Sequence, residues 1–359
     1  MAAGDEMSVL TLDPFGVRAD SRMPFLAQAL DPAEVERHLL EQLAGRRGAP
    51  ERVAVRAIRT VRYKPGRRCL IEYDLEVTRP DAPAEIVTLV AKARARGADN
   101  TTFRLLQGLR DRGFDDASPD GISVPEPVAV ILELGLWLQR KVRGTAATAQ
   151  LAAPNGVALA RRLAEAVHKL HHAALPSRRR HTMADELRIL HQGLGALAHR
   201  RPEWTRRLER LLRACDRLGA ATPPQPLRGI HRDFYPDHAL LDGERLYLLD
   251  FDLYAEGDPA LDIGNCVGHI TEQSVRARGD PGALADRETA LEDRFVELAG
   301  EPARQAVRAY ALLTLARHVY LSTQFADRRA ITATLLELCE QRLGGAIMQR
   351  GWRAGRARW

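Results

Sequence analysis

Aromatic side chains are scarce in this 359-residue sequence, at 5% of residues. Single-stranded nucleic acid is gripped largely by stacking bases on aromatic rings, so that role has little raw material. Lysine is rarer still. Lys64, Lys92, Lys141 and Lys169 are the only ones, and arginine supplies the rest of the 53 basic residues. Cysteine is confined to Cys69, Cys215, Cys266 and Cys339, with no C-x-x-C pair. That spacing argues against a disulfide framework or a zinc site and for reduced core thiols in an intracellular protein. No apolar run approaches the roughly 20 residues that span a bilayer. The N-terminus lacks the basic and apolar regions of a signal peptide. The expectation is a cytoplasmic protein with neither membrane nor nucleic acid among its partners.

The apolar fraction of 45% is ample for a large core, and the length suits two lobes. A net charge of +6, spread over both signs, reads as ordinary solvated faces. Periodicity divides the chain. Residues before Asp31 show no pattern. Asp31-Pro32 caps a helix running to Ala44. Strands are predicted at Val53–Tyr63, Arg68–Val77 and Glu85–Ala93, with turns at Lys64–Arg67 and Pro80–Pro83. A helix is predicted over Asp99–Arg112, then short strands at Val128–Leu132 and Leu136–Leu138. After Gly144 helical periods dominate: Val157–His172, Met183–His199, Trp204–Leu218, and from Leu261 onward with breaks at Asp280-Pro281 and Glu301-Pro302. The basic end, Gly351–Trp359, is expected to fray. The fold class is therefore α+β. Residues 1–138 form a small β-rich N-lobe and 139–144 a hinge. Residues 145–359 form a larger, mainly helical C-lobe.

One stretch interrupts the helical half: His231-Arg232-Asp233-Phe234-Tyr235-Pro236-Asp237-His238, then a predicted strand, Arg245–Phe251, containing Leu248-Leu249-Asp250-Phe251-Asp252. An acid in a rigid loop and another at a strand end suit phosphoryl transfer, where one carboxylate meets the attacking hydroxyl and another meets metal. The kinase catalytic loop reads H-R-D-x-x-x-x-N, followed by a metal-binding Asp before Phe. Only the final Asn differs, being His238 here. Asp233 is the candidate base and His231 a support of the loop backbone. Asp250 is the candidate metal ligand. Asp252 is either a second ligand, if the chain stays extended, or a solvated loop residue. His238 is either a ligand that favours manganese over magnesium, a hydrogen-bond partner of Asp233 or phosphate, or the mark of a lost metal contact. Lys92, a cation within the apolar third strand, is the candidate phosphate-binding lysine. Lys64 lies in a turn able to fold over phosphates. Asp258 and Asp262 flank a helix start, and Asp262 is read as a brace for the loop.

These residues resemble the aminoglycoside phosphotransferase family, relatives of choline kinases with a protein-kinase-like fold. The resemblance covers most of the chain from Val53. It rests on His231, Asp233, Asp250 and the Gly257-Asp258-Pro259-Ala-Leu-Asp262 segment. Trp137–Gly144 resembles that family's interlobe hinge, which implies that backbone groups of Gln139 to Val142 meet adenine in a cleft between the lobes. Leu170-His171 resembles the end of its first large-lobe helix; the residues themselves read His171, His172 and His191 as surface or core-edge. The helix over Asp99–Arg112 has no Glu to pair with Lys92, and Gln107 and Asp99 are its nearest substitutes. The implied activity is transfer of the γ-phosphate of ATP or GTP, with Mg2+ or Mn2+, to a hydroxyl of an antibiotic, sugar, amino alcohol or peptide intermediate. The Arg178–Arg180 run argues against a polycationic acceptor. The rival expectation is a catalytically impaired nucleotide-binding or scaffold module.

Overall fold

Alternation of apolar and polar residues builds the first of two compact units, Met1–Arg143 and Gly144–Trp359. The computed structural model describes residues 9–44, 49–80 and 82–355, with 345–355 as backbone alone. In the first unit β2 (Arg52–Lys64), β3 (Arg68–Thr78) and β4 (Glu85–Arg94) pair antiparallel. Along β3, Cys69, Ile71, Tyr73, Leu75 and Val77 are buried. The alternate residues Glu72 and Asp74 face outward and meet Arg59. Strands β5 (Pro127–Ile131) and β6 (Leu136–Arg140), with β1 (Leu10–Leu12) at the other edge, complete a sheet of order β1-β2-β3-β4-β6-β5.

The first strand, β1 (Leu10–Leu12), runs parallel to β2 with Leu10 opposite Ala57. The segment before Asp31 is thus not irregular. It also holds a short helix, Leu26–Ala29, and Asp20, whose carboxylate accepts from Tyr63 Oη and Gly66 N, both at 2.7 Å. A three-residue strand whose partner lies far along the chain leaves no local period to read. Helix α1 (Pro32–Leu43) starts as expected, with Asp31 accepting from Ala33 N at 3.0 Å and Val35 and Leu39 buried. Helix α2 (Asn100–Leu109) is shorter than the predicted span. It widens into a π-type turn, Arg110–Phe114, which Gly113 permits at φ 81°.

The second unit is mainly helical: α3 (Gly156–His172), α4 (Met183–Arg200), α5 (Thr205–Ala220), α6 (Ala260–Arg278), α7 (Ala285–Ala299), α8 (Ala303–Leu321) and α9 (Thr332–Gly355). Thr182 and Asp185 form a capping box at the start of α4. Both proline breaks fall between helices. Helices α6 and α8 pack closely because a Cβ at Gly264 would lie 2.5 Å from Tyr310 Cβ. Short strands interrupt the helices. Strand β7 (Arg228–Ile230) pairs with β10 (Ala255–Gly257), and β8 (Ala239–Asp242) forms a hairpin with β9 (Arg245–Leu248). Strand β9 ends before the predicted Phe251. Helix α9 continues through the segment expected to fray as far as Gly355, while 356–359 and Asp81 of the expected Pro80–Pro83 turn lie outside the described residues. All four cysteines are buried and free. Among the described residues no helix is long and apolar enough to cross a membrane.

Candidate active site

Strand β7 delivers the chain into the His231–His238 loop, and one buried carboxylate holds the loop there. Asp262, in the first turn of α6, accepts from His231 N at 2.8 Å and from Arg232 N at 2.7 Å. His171 Nε2 donates to it at 2.9 Å. Asp262 and His231 are fully buried, and His171 nearly so. Asp258 accepts from Ala260 N at 2.9 Å and so fixes the start of α6, and burial pushes its carboxyl pKa up. Asn265, one helical turn beyond Asp262, donates to Phe234 O at 2.8 Å. Four consecutive loop residues, His231 to Phe234, therefore include three gripped from below by α6.

The loop in turn positions Asp250. His231 Nε2 donates to Leu249 O at 2.7 Å, and Leu249 N donates to His238 O at 2.9 Å. Asp250 follows at φ 60°, and Arg232 lies at φ 70°. This left-handed conformation costs a non-glycine residue about 1–2 kcal/mol. Backbone strain of this kind gathers where the surrounding structure and function demand it.

Asp233 is half-buried, and no hydrogen bond or ion pair among the described residues engages its carboxylate. Its carbonyl accepts from His238 Nδ1 at 2.7 Å. A carbonyl only accepts, so Nδ1 carries the proton and the neutral ring leaves a lone pair on Nε2. That nitrogen lies 3.8 Å from Asp250 Oδ2. Burial pushes the His238 pKa down and His231 adds to this, while Asp233 and Asp250 pull the other way. Asp252 falls in a 3-10 turn, Phe251–Leu253, so the extended alternation that was to align it with Asp250 does not hold. No group of three or more His, Cys, Asp or Glu among the described residues is arranged to hold a metal ion. Of the candidate metal ligands, His238 Nε2 and Asp250 Oδ2 are thus the two brought near each other.

The remaining candidates lie in the first unit. Lys92 sits in β4 opposite Leu70 and Trp137, with Nζ 5.4 Å from the centre of the Trp137 ring. Asp99 is committed to capping α2 and lies 3.2 Å from Arg94, and Gln107 is exposed. Lys64 ends β2 at an exposed turn, where Arg68, Arg62 and Arg67 lower its pKa. The Asp20 carboxylate, accepting from Gly66 N at 2.7 Å, stands at the same turn. Gln139 pairs with Val90 and Pro127 in the sheet, and Val142 follows the end of β6.

The residues that sequence reasoning missed are polar side chains buried on helices. His171, expected at a surface or core edge, is an anchor of the loop through Asp262. Asn265, Glu186 and Arg317 extend the network. Glu186 accepts from His181 Nε2 at 2.6 Å and lies 3.3 Å from Arg317 Nη1, while Arg317 Nη2 donates to Asn265 Oδ1. The one available signal was the Asp262/Asn265 spacing, which puts two polar side chains on one face of an apolar helix.

The description "Phosphotransferase enzyme family" belongs to the family model that matches residues 86–310. No curated protein sequence matches the chain. Among solved structures, a choline kinase from Cryptosporidium parvum Iowa II is 12% identical at a TM-score of 0.58, covering 89% of this chain and 97% of that one. A choline/ethanolamine kinase family protein from Mesorhizobium loti is 17% identical at 0.51, covering 89% and 94%. A thermostable mutant of aminoglycoside phosphotransferase APH(4)-Ia, in ternary complex with AMP-PNP and hygromycin B, is 16% identical at 0.54, covering 86% and 97%. At these identities the likeness is one of fold, and it agrees with the two-lobed kinase-like architecture expected from the sequence.

Proposed function

The chain belongs to the phosphotransferase enzyme family, and we propose that it moves the γ-phosphate of ATP or GTP to a hydroxyl of a small molecule or peptide intermediate. The observation that carries this reading is Asp233. Among the described residues no hydrogen bond or ion pair engages its carboxylate, while the backbone on both sides of it is pinned to buried side chains. Such a group is built to receive a proton from something that is not protein. In this role it orients the acceptor hydroxyl and takes its proton as the bond to phosphorus forms.

The other roles follow from charge. Lys92 offsets charge on the nucleotide phosphates, and the Lys64 turn adds positive potential to the same end. Backbone groups of Gln139 to Val142 are assigned to the base. Asp250 and His238 would hold a divalent cation, with Asp252 outside that pair. A cation bound by them would supply charge neutralisation at the phosphoryl oxygens. An imidazole nitrogen beside a carboxylate suits manganese better than magnesium. His231, Asp258 and Asp262 support the loop.

The rival reading, an impaired nucleotide-binding module, draws on His238 and on the lack, among the described residues, of a group of three or more His, Cys, Asp or Glu arranged to hold a metal ion. Turnover separates the two. ATP and GTP consumption is measured with Mg2+ and with Mn2+ against a panel of hydroxyl acceptors. Acceptor-dependent consumption is expected, faster with Mn2+. Nucleotide binding with no turnover under any metal favours the module.

A further inference from the structure

Arg232 carries two features that a purely structural residue would not keep. Its backbone is held at φ 70°, a conformation suited to glycine. Its guanidinium is partly buried yet makes no hydrogen bond or ion pair among the described residues. Burial pushes its pKa down, and Arg317 pushes the same way. Guanidinium presents five donors in a fixed fork, so leaving them unused next to a candidate base needs an explanation.

The acids around Arg232 do not provide one. Glu186 is nine-tenths buried or more and engaged on both oxygens, by His181 at 2.6 Å and Arg317 at 3.3 Å. Asp185 serves Thr182 at the helix cap and Arg188 at 3.0 Å. Asp233 is reserved for the acceptor hydroxyl in the reading above. Arg317 is itself fixed near the loop, because Asn265 holds both Arg317 Nη2 and Phe234 O. Arg179 Nη1 donates to Asp252 O at 2.5 Å. The Arg178–Arg180 run thus has a place beside the chain that follows Asp250.

We propose that Arg232 binds an anionic group, a carboxylate or a phosphate, carried by the acceptor whose hydroxyl meets Asp233, with Arg317 adding positive potential behind it. The inference rests on the phosphotransfer reading and narrows its substrate class. A guanidinium fork matches both groups by paired, charge-assisted hydrogen bonds. A polycationic acceptor would instead bring like charge against Arg232.

The test varies acceptor charge on one carbon skeleton: glucosamine, glucose, gluconate and glucose 6-phosphate. Equilibrium binding of each is measured by calorimetry, and turnover is followed in parallel, for the full chain and for Arg232→Gly and Arg232→Lys. Glycine accepts the backbone conformation, so Arg232→Gly is expected to fold. Gluconate or glucose 6-phosphate should bind about tenfold or more tighter than glucose, and glucosamine weakest. Arg232→Gly should level the series by raising Kd and KM for the anionic members, and Arg232→Lys should keep part of the preference. The gluconate and glucose 6-phosphate arms tell carboxylate from phosphate. A series that is flat in the full chain, headed by glucosamine, or unchanged in Arg232→Gly overturns the proposal. Binding of ATP and of GTP in the same samples is independent of it: absence of an anion preference with binding of either nucleotide intact brings down only the acceptor class, whereas binding of neither nucleotide brings down the phosphotransfer reading.

Discussion

Replacing Asp262 should damage both stability and catalysis, and the structure sets the scale. Its carboxylate accepts three hydrogen bonds, from His231 N, Arg232 N and His171 Nε2, at 2.7 to 2.9 Å in a fully buried position. A buried donor left without an acceptor costs about 1–3 kcal/mol. Three donors sharing one void relax together, so the sum for Asp262→Ala is about 3–6 kcal/mol. That is a large share of the ~5–15 kcal/mol that holds a typical domain folded. Asp262→Asn keeps the shape and one good acceptor but turns an NH2 group against a donor, so about half that loss is expected. Urea unfolding followed by circular dichroism gives the midpoint and slope for each variant. His171→Leu, measured alone and with Asp262→Asn, should show coupling of about 0.5–3 kcal/mol, as expected for direct partners. Phosphotransfer should fall in both Asp262 variants under conditions where they remain folded, because the loop that carries Asp233 loses its tether. If Asp262→Ala unfolds within about 1 kcal/mol of the parent and turns over at the same rate, the brace is not there.

Three further outcomes are expected. Lys92→Ala should weaken ATP binding by about tenfold or more, since a hydrogen bond to a charged group is worth about 1.5–3 kcal/mol; an unchanged titration makes Lys92 an ordinary strand residue. His238→Asn should move metal preference from Mn2+ toward Mg2+, and an unmoved preference removes His238 from the cation site. His318 is buried, and burial together with Arg317, Arg328 and Arg276 depresses its pKa to about 3, with the His269 ring packed edge-on against it. The unfolded ring gains its proton near pH 6.5 while the folded one stays neutral. Its contribution is therefore full above pH 6.5 and is lost as pH falls, at up to about 1.4 kcal/mol per unit, until the folded pKa is reached. Denaturant midpoints from pH 7 to 4.5 should decline less steeply in His318→Leu, and parallel curves would refute the assignment.

What the sequence made legible was whatever repeats locally or sits in a short motif. The long strands β2, β3 and β4 and the helices α3 to α5 lie within a few residues of their predicted spans, because period-2 and period-3.6 patterns report burial directly. The loop acids Asp233 and Asp250 stood out as candidates from motif spacing. What escaped depends on tertiary register. Strand β1 is three residues long and has no pattern until β2 lies beside it. Asp252 was placed by assuming extended chain, but the chain turns sharply after Asp250. His171, Glu186, Asn265 and Arg317 are far apart in sequence, and a polar residue on an apolar helix does not say which partner it will find. The strain at Arg232 was invisible for the same reason: an Arg in a motif gives no hint of its φ.

The central claim, that Asp233 receives the acceptor's proton in phosphoryl transfer, is tested most directly by single-turnover kinetics of Asp233→Asn with ATP and an acceptor identified in the turnover screen. The substitution removes the base while preserving shape. The transfer step should slow by about 10²–10⁴-fold, with ATP affinity and urea midpoint close to those of the parent chain. Transfer at near-parental rate in a folded, ATP-binding Asp233→Asn variant contradicts the account.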